Sequence, residues 1–364
     1  MLNREKGIVQ DIIYEDSIYQ EIYVIIEHQK YKAMNFICFT GRCKVNDEVL
    51  LNTTAIRLSL GTGGYHFVIA NLYGNNQISE KIGHIMKLRY TPLQIAVQTM
   101  EEQGGPYHNN IKKFHSLEGM PVISCSLHSM LAPVAAIIKY YKPDVRITYI
   151  MSDGASLPIS ISKAVRNLKS KKLIDTTITY GHAFGGDYEA INIYTALIGA
   201  KEIAKADVVI VAMGPGIVGT GTEYGFTGVE QGTIIDAVNT LGGSSISIPR
   251  ISFSDKRNRH YGISHHSITI FTKISKTKTI ISVPEIEDKE KMSIINNQII
   301  NNKLSDIHNI EYRRIDELEK VLEFFDIKVS TMGRNYLQDK VFFQSAAASG
   351  KVALEKVDRK DEIN

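Results

Sequence analysis

The first hundred residues contain short apolar segments that are typical of β-strands. Ile, Val, Tyr and Phe dominate these segments, and short polar or glycine-containing breaks separate them. This spacing predicts a compact, β-barrel-like domain over residues 1–104. The predicted strands are Gly7–Tyr14, Ile18–Ile26, Lys32–Phe39, Glu48–Leu51 and Tyr65–Leu72.

The segment Leu93–Met100 fits two patterns. Its apolar residues match both the alternation of a strand and one face of a helix, and the pattern leaves the two open. Gly104–Pro106 then interrupts both patterns, and we expect a domain boundary there.

A different pattern begins at Pro121. Apolar runs alternate with longer amphipathic stretches, and β-branched runs such as Val208–Val211 suit strands that are buried on both faces. Residues 105–356 are therefore predicted to form an α/β domain with a doubly wound, mostly parallel sheet. The predicted strands are Pro121–Cys125, Val145–Met151, Asp175–Tyr180, Asp207–Met213 and Ser244–Ile251, and the predicted helices are His128–Tyr141, Pro158–Lys169, Tyr188–Ala204 and Val229–Leu241.

The last part of the chain has a less regular pattern. Thr277–Val283 suits a further strand, and helices are predicted over Asp316–Phe325 and Tyr336–Leu354. The Lys- and Asn-rich stretch Lys289–Lys303 favours a surface helix or an insertion, and we place no function there. The charged residues 357–364 are expected to fray.

Composition and charge narrow the class of protein. Lys and Arg number 42 and Asp and Glu 39, so the net charge of +3 is too small for binding nucleic acid or acidic membranes through the whole surface. Hydrophobic residues make up 43% and charged residues 22%, which is an ordinary globular composition. No apolar run approaches the ~20 residues of a membrane helix, and the charged N-terminus is unlike a secretory signal. Three cysteines without paired spacing favour reduced thiols, so we expect a cytoplasmic protein.

Polar and titratable residues follow every predicted strand of the α/β domain. In an open parallel sheet the carboxyl ends of the strands share one edge, and ligands bind in the crevice there. Such loops are polar by default, but their combined richness in His and Gly favours a site. Of the 27 glycines, 13 lie between Gly181 and Gly243. The candidate catalytic residues are Asp153, His182, Asp187, Glu189, His260, His265 and His266.

The loop Met213–Gly228, called the glycine-rich loop below, follows the fourth predicted strand of this domain and contains a literal GxGxxG. The glycines beyond it break the helix that a dinucleotide fingerprint needs, so NAD is disfavoured. The loop has no lysine, which disfavours a Walker-type NTPase. Glycine turns expose backbone N–H groups, so the loop is predicted to bind a phosphate or carboxylate, against the alternative of a tight structural turn. The candidate anion-binding residues are Gly214, Gly216, Gly219, Thr220, Gly221 and Thr222.

The loop after the fifth predicted strand places Arg250, Arg257 and Arg259 beside Asp255 and three histidines. Arginine forks suit phosphate or carboxylate oxygens, and histidine titrates near neutral pH, so the segment favours a substrate clamp with a proton-transfer group. A solvated basic loop is the structural alternative. These histidines, together with His182, Asp187 and Glu189 after the third strand, are residue types that bind metals. They match no fixed metal-binding motif, so the use of a divalent metal is left open.

The barrel-like domain carries two features of its own. Gly61–His66 is a glycine-rich turn, and His84, Lys87 and Arg89 form a small basic group. If these features face the α/β crevice they could close the site, and if they face outward they suit nucleic-acid or partner binding. A glycine-rich hairpin would explain this turn without any function. The candidate site-closing residues are Gly63, Gly64, His66, His84, Lys87 and Arg89.

Six long phrases of this sequence carry a family resemblance. They are GTGGYHFVIAN from Gly61, GHIMKLRYTPLQ from Gly83, GHAFGGDYEA from Gly181, MGPGIVGTGT from Met213, RISFSDKRNRHYGISHHS from Arg250 and TMGR from Thr331. They extend from the barrel to the last helix and resemble the bacterial family called domain of unknown function 3866. The resemblance implies a shared arrangement of these segments and a cytoplasmic bacterial setting, and it supplies no catalytic residues.

The leading hypothesis is an enzyme acting on a small phosphorylated or carboxylated molecule at the carboxyl edge of the sheet. The glycine-rich loop would hold the anion, the arginines would neutralise its charge, a histidine would move protons, and Asp153, Asp187 or Glu189 would orient an imidazole or act as a base. Transferase, lyase and hydrolase all stay open, as does the oligomeric state. The alternatives are a non-catalytic ligand sensor using the same crevice and a nucleic-acid-associated protein acting through the barrel.

Overall fold

The computed structural model describes residues 2–60, 63–73 and 83–361. The chain divides into two compact units, one formed by Met1–Ile82 with Thr91–Leu93 and the other by Gly83–Tyr90 with Gln94–Asn364. The division falls near residue 83, about twenty residues before the glycines that suggested a boundary. Most of the segment between Gly83 and Gly104 therefore belongs to the second unit.

The first unit is a closed five-stranded β-barrel, as the sequence predicts. The third predicted strand ends early, because the chain turns into a short helix at Ile37. The strands are β1 (Arg4–Glu15), β2 (Tyr19–Ile26), β3 (Gln29–Phe36), β4 (Glu48–Asn52) and β5 (Tyr65–Asn71), and the helices are α1 (Ile37–Thr40) and α2 (Thr54–Arg57).

The barrel closes in the order β1-β2-β3-β5-β4. Strands β3 and β5 are parallel, whereas β1 is antiparallel to both β2 and β4. This is the topology of the oligonucleotide- and oligosaccharide-binding fold. Alternate side chains such as Val9, Ile22 and Leu51 fill the interior. Gly7 permits the close approach of β1 to the barrel, because a Cβ there would lie 2.9 Å from the Leu51 side chain.

The second unit alternates strands and helices along the chain. Its strands are β6 (Ile85–Lys87), β7 (Ile95–Val97), β8 (Pro121–Cys125), β9 (Ile147–Ser152), β10 (Thr176–Tyr180), β11 (Tyr188–Ala190), β12 (Val208–Met213), β13 (Ser244–Ser247), β14 (Ile251–Ser252), β15 (Gly262–Ile263), β16 (Ile280–Glu285), β17 (Asn309–Arg314), β18 (Ser330–Thr331) and β19 (Arg334–Asn335). Its helices are α3 (His108–Lys112), α4 (Leu131–Tyr141), α5 (Lys163–Ser170), α6 (Ile193–Glu202), α7 (Glu230–Thr240), α8 (His265–Thr269), α9 (Lys289–Asn301), α10 (Leu304–Ile307), α11 (Leu318–Phe324) and α12 (Lys340–Asp361).

Eight of these strands form one sheet in the order β11-β10-β9-β12-β8-β13-β16-β17, and all their pairs are parallel. Helices cover both faces. In β12, Val208 and Ile210 pack with α4 and α12 on one face, while Val209 and Val211 pack with α6 and α7 on the other. The predicted doubly wound α/β fold is confirmed. Within the described residues, no helix is both long and apolar enough to cross a lipid bilayer.

The chain changes direction across the sheet at β8 and β12. The connection after β8 runs to β9 on one side, whereas the connection after β12 runs to β13 on the other side. The loops after these two adjacent strands therefore flank the switch point, where open α/β sheets bind their ligands.

Several predicted elements differ from the structure. The predicted helix Tyr188–Ala204 is wrong in its first part, because β11 pairs with β10 and the helix begins only at Ile193, after the N-cap Asn192. The predicted strand Ser244–Ile251 stops at Ser247, and β14 pairs instead with β15 in a separate hairpin.

Three further segments are resolved by the structure. The ambiguous segment Leu93–Met100 contains strand β7, and the Lys- and Asn-rich stretch is helix α9, which buries Ile295 and Ile299. Helix α12 continues to Asp361, so the first part of the expected charged tail is helical. Sequence patterning missed the edge strand β17.

Two helical glycines offer a paired test of core packing. A methyl group on Gly350 in α12 would overlap the Ile137 side chain and lie 3.2 Å from the Val134 carbonyl oxygen, whereas on Gly199 in α6 it would overlap only the flexible Met100 side chain. Alanine favours both helices equally, by up to about 1 kcal/mol. We expect Gly350→Ala to lower the free energy of unfolding by about 1–3 kcal/mol more than Gly199→Ala, measured by urea denaturation. Equal effects would mean that α4 and α12 separate without cost.

Candidate functional site

Direct contacts link the loops at the carboxyl ends of β8, β9, β10 and β12. The His128 ring after β8 bonds the Met213 carbonyl oxygen at the end of β12 at 3.0 Å. Asp153 after β9 accepts a hydrogen bond of 2.7 Å from the backbone N–H of His182, which follows β10. Gly154 lies against Met213 and Glu230. The sheet therefore brings these stretches, which are distant in sequence, to one edge.

Three histidines form a compact cluster in the loop after β13. The β14–β15 hairpin positions His260, and the Ser264 side chain caps α8, which begins with His265 and His266. The His260 Nδ1 atom lies 2.7 Å from the Ser264 hydroxyl. Ring centroids of the three histidines lie 4.2 to 5.0 Å apart. A single short segment thus supplies three imidazole rings that lie close together.

Burial and neighbouring arginines keep these imidazoles uncharged. Burial, together with the charge of Arg250, lowers the pKa of His260 to about 3. Burial and the neighbouring imidazole of His265 lower the pKa of His266 to about 4, and burial with the Arg259 charge lowers the pKa of His265. At neutral pH each ring is therefore uncharged and offers one N–H group and one nitrogen lone pair.

The glycine-rich loop lies directly against this cluster. The Phe226 ring stacks on His266, with centroids 3.9 Å apart and an interplanar angle of 8°. A Cβ on Gly219 would lie 3.6 Å from the His266 ring, and one on Gly221 would lie 3.7 Å from the Arg259 guanidinium. Gly221 has a φ of +80°, which favours glycine. The loop backbone therefore lies within van der Waals reach of His266 and Arg259.

The predicted anion cradle is only partly available in this loop. The Thr220 and Thr222 hydroxyls are 2.9 Å apart, and both bond to the backbone of Gly225. Helix α7 begins only at Glu230, so Gly219 does not open a helix as a dinucleotide fingerprint requires.

The three arginines of the loop after β13 have different environments. Arg250 is 4% exposed and pairs with Asp255 at 3.0 Å, and Arg257 pairs with the same carboxylate at 2.8 Å. These partners, above all the hydrogen bonds from Arg257, hold the pKa of Asp255 well below its usual range. Arg259 is exposed, and within the described ranges we find no carboxylate paired with it. The region carries an excess of positive charge.

Sequence reasoning missed Glu230, the first residue of α7. Its carboxylate accepts a hydrogen bond from the Ser152 hydroxyl at the end of β9. Burial, with a smaller effect of the Asp153 charge, raises the pKa of Glu230 to about 7. In the sequence this residue resembles an ordinary acidic residue at a helix start. Its distinguishing signal is its position directly after a glycine-rich loop at the carboxyl edge.

Asp153 and His182 are held by backbone contacts. The close approach of Gly181, which has a φ of +67°, leaves no room for a Cβ beside the Asp153 carboxyl group. The Nδ1 atom of His182 accepts a hydrogen bond of 3.0 Å from the Leu88 N–H. Both residues therefore lie at the carboxyl edge, as predicted, in fixed orientations.

Asp187 and Glu189 were expected in the same place, but β11 changes their position. Because β11 runs parallel to β10, the chain between them returns toward the amino end of the sheet. Asp187 bonds Thr177 near the start of β10 and pairs with Lys169 at 2.5 Å. Glu189 is buried and pairs with Lys87 at 2.5 Å. Asp187 therefore lies away from the carboxyl edge, whereas Glu189 contacts the loop after β10 by accepting a hydrogen bond from the Gly185 N–H.

The predicted site-closing residues are divided between the two units. Lys87 is only 1% exposed and also donates to the Ala183 carbonyl oxygen at 2.5 Å, so it is a buried structural cation. His84 pairs with Glu102, and Arg89 is exposed. In the barrel, His66 is buried beside Tyr31, and Gly63 and Gly64 form the turn before β5. Gly61 and Thr62 lie outside the described residues.

The molecule thus contains a closed five-stranded barrel and a parallel α/β unit whose carboxyl edge carries histidines, arginines and a buried glutamate. The chain belongs to the family described as Protein of unknown function (DUF3866), whose model matches residues 32–350. Comparison with curated proteins finds no match.

The raised pKa of Glu230 makes stability depend on pH. The native state binds this proton more tightly than the unfolded chain, so the stabilisation is complete below pH 4.5 and is lost as the pH rises through about 7. Glu230→Gln removes this titration. We expect the variant to gain stability relative to the unchanged chain between pH 4.5 and 8, on the order of 1–3 kcal/mol, measured by urea denaturation across that range. The surface variant Glu290→Gln should show no such gain, and a flat difference for Glu230→Gln would contradict the burial argument.

Proposed function

We propose that this chain is an enzyme acting on a small phosphorylated or carboxylated metabolite at the carboxyl edge of its parallel sheet. The observation that carries the proposal is the position of Arg259 beside the glycine-rich loop and the three neutral histidines. Arginine forms charge-assisted, bidentate hydrogen bonds with phosphate and carboxylate oxygens.

The electrostatics of the loop after β13 support an anionic ligand. Arg250 and Arg257 share the carboxylate of Asp255, and among the described residues no carboxylate pairs with the nearby Arg259. The histidines add no negative charge that would cancel the excess. Arg257 and Arg259 are exposed, so they can reach a ligand, whereas the buried Arg250 contributes a fixed positive field.

Glu230 supplies the proton-transfer group of this proposal. A carboxyl group with a pKa of about 7 exchanges a proton readily at neutral pH, which is the condition for efficient general acid and base catalysis. Asp153 lies in the neighbouring loop and is held by the His182 N–H. The glycine-rich loop contacts the histidine cluster in its middle and leads to Glu230 at its end.

The anion site is tested with inorganic phosphate and a panel of phosphorylated and carboxylated metabolites. We expect Arg259→Ala to weaken phosphate binding by roughly 10- to 100-fold, because a hydrogen bond to a charged group contributes about 1.5–3 kcal/mol. Arg146→Ala is the matched control, since Arg146 is an exposed arginine bound to Asp207 ahead of β9. Binding is measured by calorimetry.

The same panel separates an enzyme from a sensor. We expect at least one bound compound to be converted by the unchanged chain, and Glu230→Gln to stop conversion while the compound still binds. Binding without conversion across the panel would select the sensor. Equal phosphate affinity of Arg259→Ala and the unchanged chain would exclude both.

A second candidate function is single-stranded nucleic-acid binding by the barrel. On the outer face, Tyr23, Lys32 and Tyr65 lie side by side across β2, β3 and β5. The Lys30 Nζ atom lies 4.0 Å from the centre of the Tyr23 ring. Strands β2 and β3 form the ligand face of oligonucleotide-binding barrels, and aromatic rings with interleaved cations suit stacked bases and phosphates. Lys87, which the sequence suggested for such a role, cannot contribute because it is buried.

This second candidate predicts binding of oligo-dT that weakens as salt increases. We expect Tyr23→Ala to weaken binding by about 1–3 kcal/mol through lost stacking, and Lys32→Ala to reduce the salt dependence. Lys44→Ala, an exposed lysine elsewhere on the barrel, is the control for general charge. Fluorescence anisotropy with no binding, or equal losses in all three variants, would exclude the barrel face.

A further inference from the structure

We infer that His260, His265 and His266 bind a divalent transition-metal ion of the zinc type. This site adjoins the proposed anion site and so deepens the proposed function, although metal binding itself needs no substrate. The inference rests on the arrangement of the three imidazoles and on an unpaired nitrogen among them.

The ring nitrogens are close enough to share one ion. One ligand nitrogen from each histidine lies within 4.8 Å of the others. Zn–N bonds of about 2.0–2.1 Å in a tetrahedral site place ligand nitrogens roughly 3.3 Å apart. The rings must therefore move inward by on the order of 1 Å, which small side-chain rotations provide. His265, at the first position of α8, is less buried than the other two.

An unpaired nitrogen points to a missing ligand. The Nε2 atom of His265 is buried and has no hydrogen-bond partner among the residues that the structure describes. Leaving a buried polar atom unpaired costs about 1–3 kcal/mol. A metal ion would use the lone pair of this nitrogen and remove the cost.

The surrounding contacts match those that usually support metal-binding histidines. Such histidines commonly hold their other ring nitrogen in a hydrogen bond to an oxygen, which fixes the tautomer and the ring orientation. The Nδ1 atom of His260 lies 2.7 Å from the Ser264 hydroxyl, leaving Nε2 for an ion. The stacked Phe226 ring holds His266 in place. Two of the three rings are thus oriented by groups that are not ligands.

The chemistry of the cluster selects the class of metal. Imidazole nitrogen suits zinc and its neighbours in the first transition row, whereas Ca²⁺ and Mg²⁺ prefer oxygen ligands. Three histidines leave a fourth coordination position open, as in catalytic zinc sites. The nearby arginines repel a cation, and the Asp255 carboxylate between Arg250 and Arg257 offsets part of that repulsion. An anion at the open position would be attracted by both the ion and Arg259.

The experiment titrates the full metal-free chain with Zn²⁺ in competition with a chromophoric chelator. We expect one tightly bound ion per chain, with affinity reduced at least about 100-fold in both His265→Ala and His266→Ala. The exposed His115→Ala is the matched control and should bind as the unchanged chain does. Binding that is absent, or equal in all four proteins, would overturn the inference.

Cobalt substitution gives a readout that needs no variant. We expect Co²⁺ to produce the visible absorption of a four- or five-coordinate nitrogen site in the unchanged chain, and Zn²⁺ to displace it. A spectrum of hexahydrated Co²⁺ alone would overturn the inference even if the histidine variants fail to fold.

Phosphate binding separates the two proposals. If the metal-free chain binds inorganic phosphate through Arg259 but binds no Zn²⁺, the anion site stands and the metal site is excluded. If Zn²⁺ binds with the expected histidine dependence and phosphate does not bind with or without it, the metal site stands and the proposed function fails.

Discussion

The parallel pairing of β12 with both β8 and β9 is the constraint on which the rest of the structure depends. Val209 is paired with Val122 on one side and with Thr148 on the other, and every residue of β12 is buried. Because the three strands run in the same direction, their following loops leave the sheet at one edge. An antiparallel β12 would place the glycine-rich loop at the opposite end, away from Asp153 and the loop after β8.

The positive charge at this edge is fixed by contacts beyond the loop that carries it. Arg250 also donates to the Met332 sulfur at 3.3 Å, and Arg334 from the β18–β19 hairpin pairs with Asp339 at 3.0 Å. Asp339 in turn accepts a hydrogen bond from Ser252 in β14. The chain from residue 330 onward therefore holds the hairpin that positions His260. This explains why the TMGR phrase, which contains no candidate catalytic residue, lies close to the site.

The sequence predicted the layers of the molecule better than the details of its site. Runs such as Val208–Val211 are apolar at every position, so their burial on both faces and the parallel sheet could be inferred. The strand β11 could not, because Tyr188, Glu189 and Ala190 are compatible with a helix and become a strand only by pairing with β10. That pairing moves Asp187 away from the edge and buries Glu189, an outcome set by tertiary contacts.

The candidate site was likewise predictable in its position but not in its electrostatics. The closeness of His265 and His266 follows from their adjacency in sequence, and the approach of the glycine-rich loop followed from the rule that strand ends share an edge. The low pKa values of the histidines and the high pKa of Glu230 depend on burial and on neighbours distant in sequence. No local pattern encodes these quantities. Lys87 is the clearest example, since the sequence suggested a basic residue at a binding surface and the structure buries its side chain almost completely.

The ion pair between Lys87 and Glu189 also constrains the order in which the protein can form during its synthesis. Its two members are separated by 102 positions, and the carbonyl oxygen of Ala183 that completes the contact is 96 positions from the lysine. On the ribosome, Lys87 emerges well before either partner and must remain hydrated until they arrive. The barrel strands, whose partners are all within the first 71 residues, carry no such delay. The nascent chain can therefore pair all five barrel strands before Ala183 and Glu189, the partners of Lys87, have been synthesised.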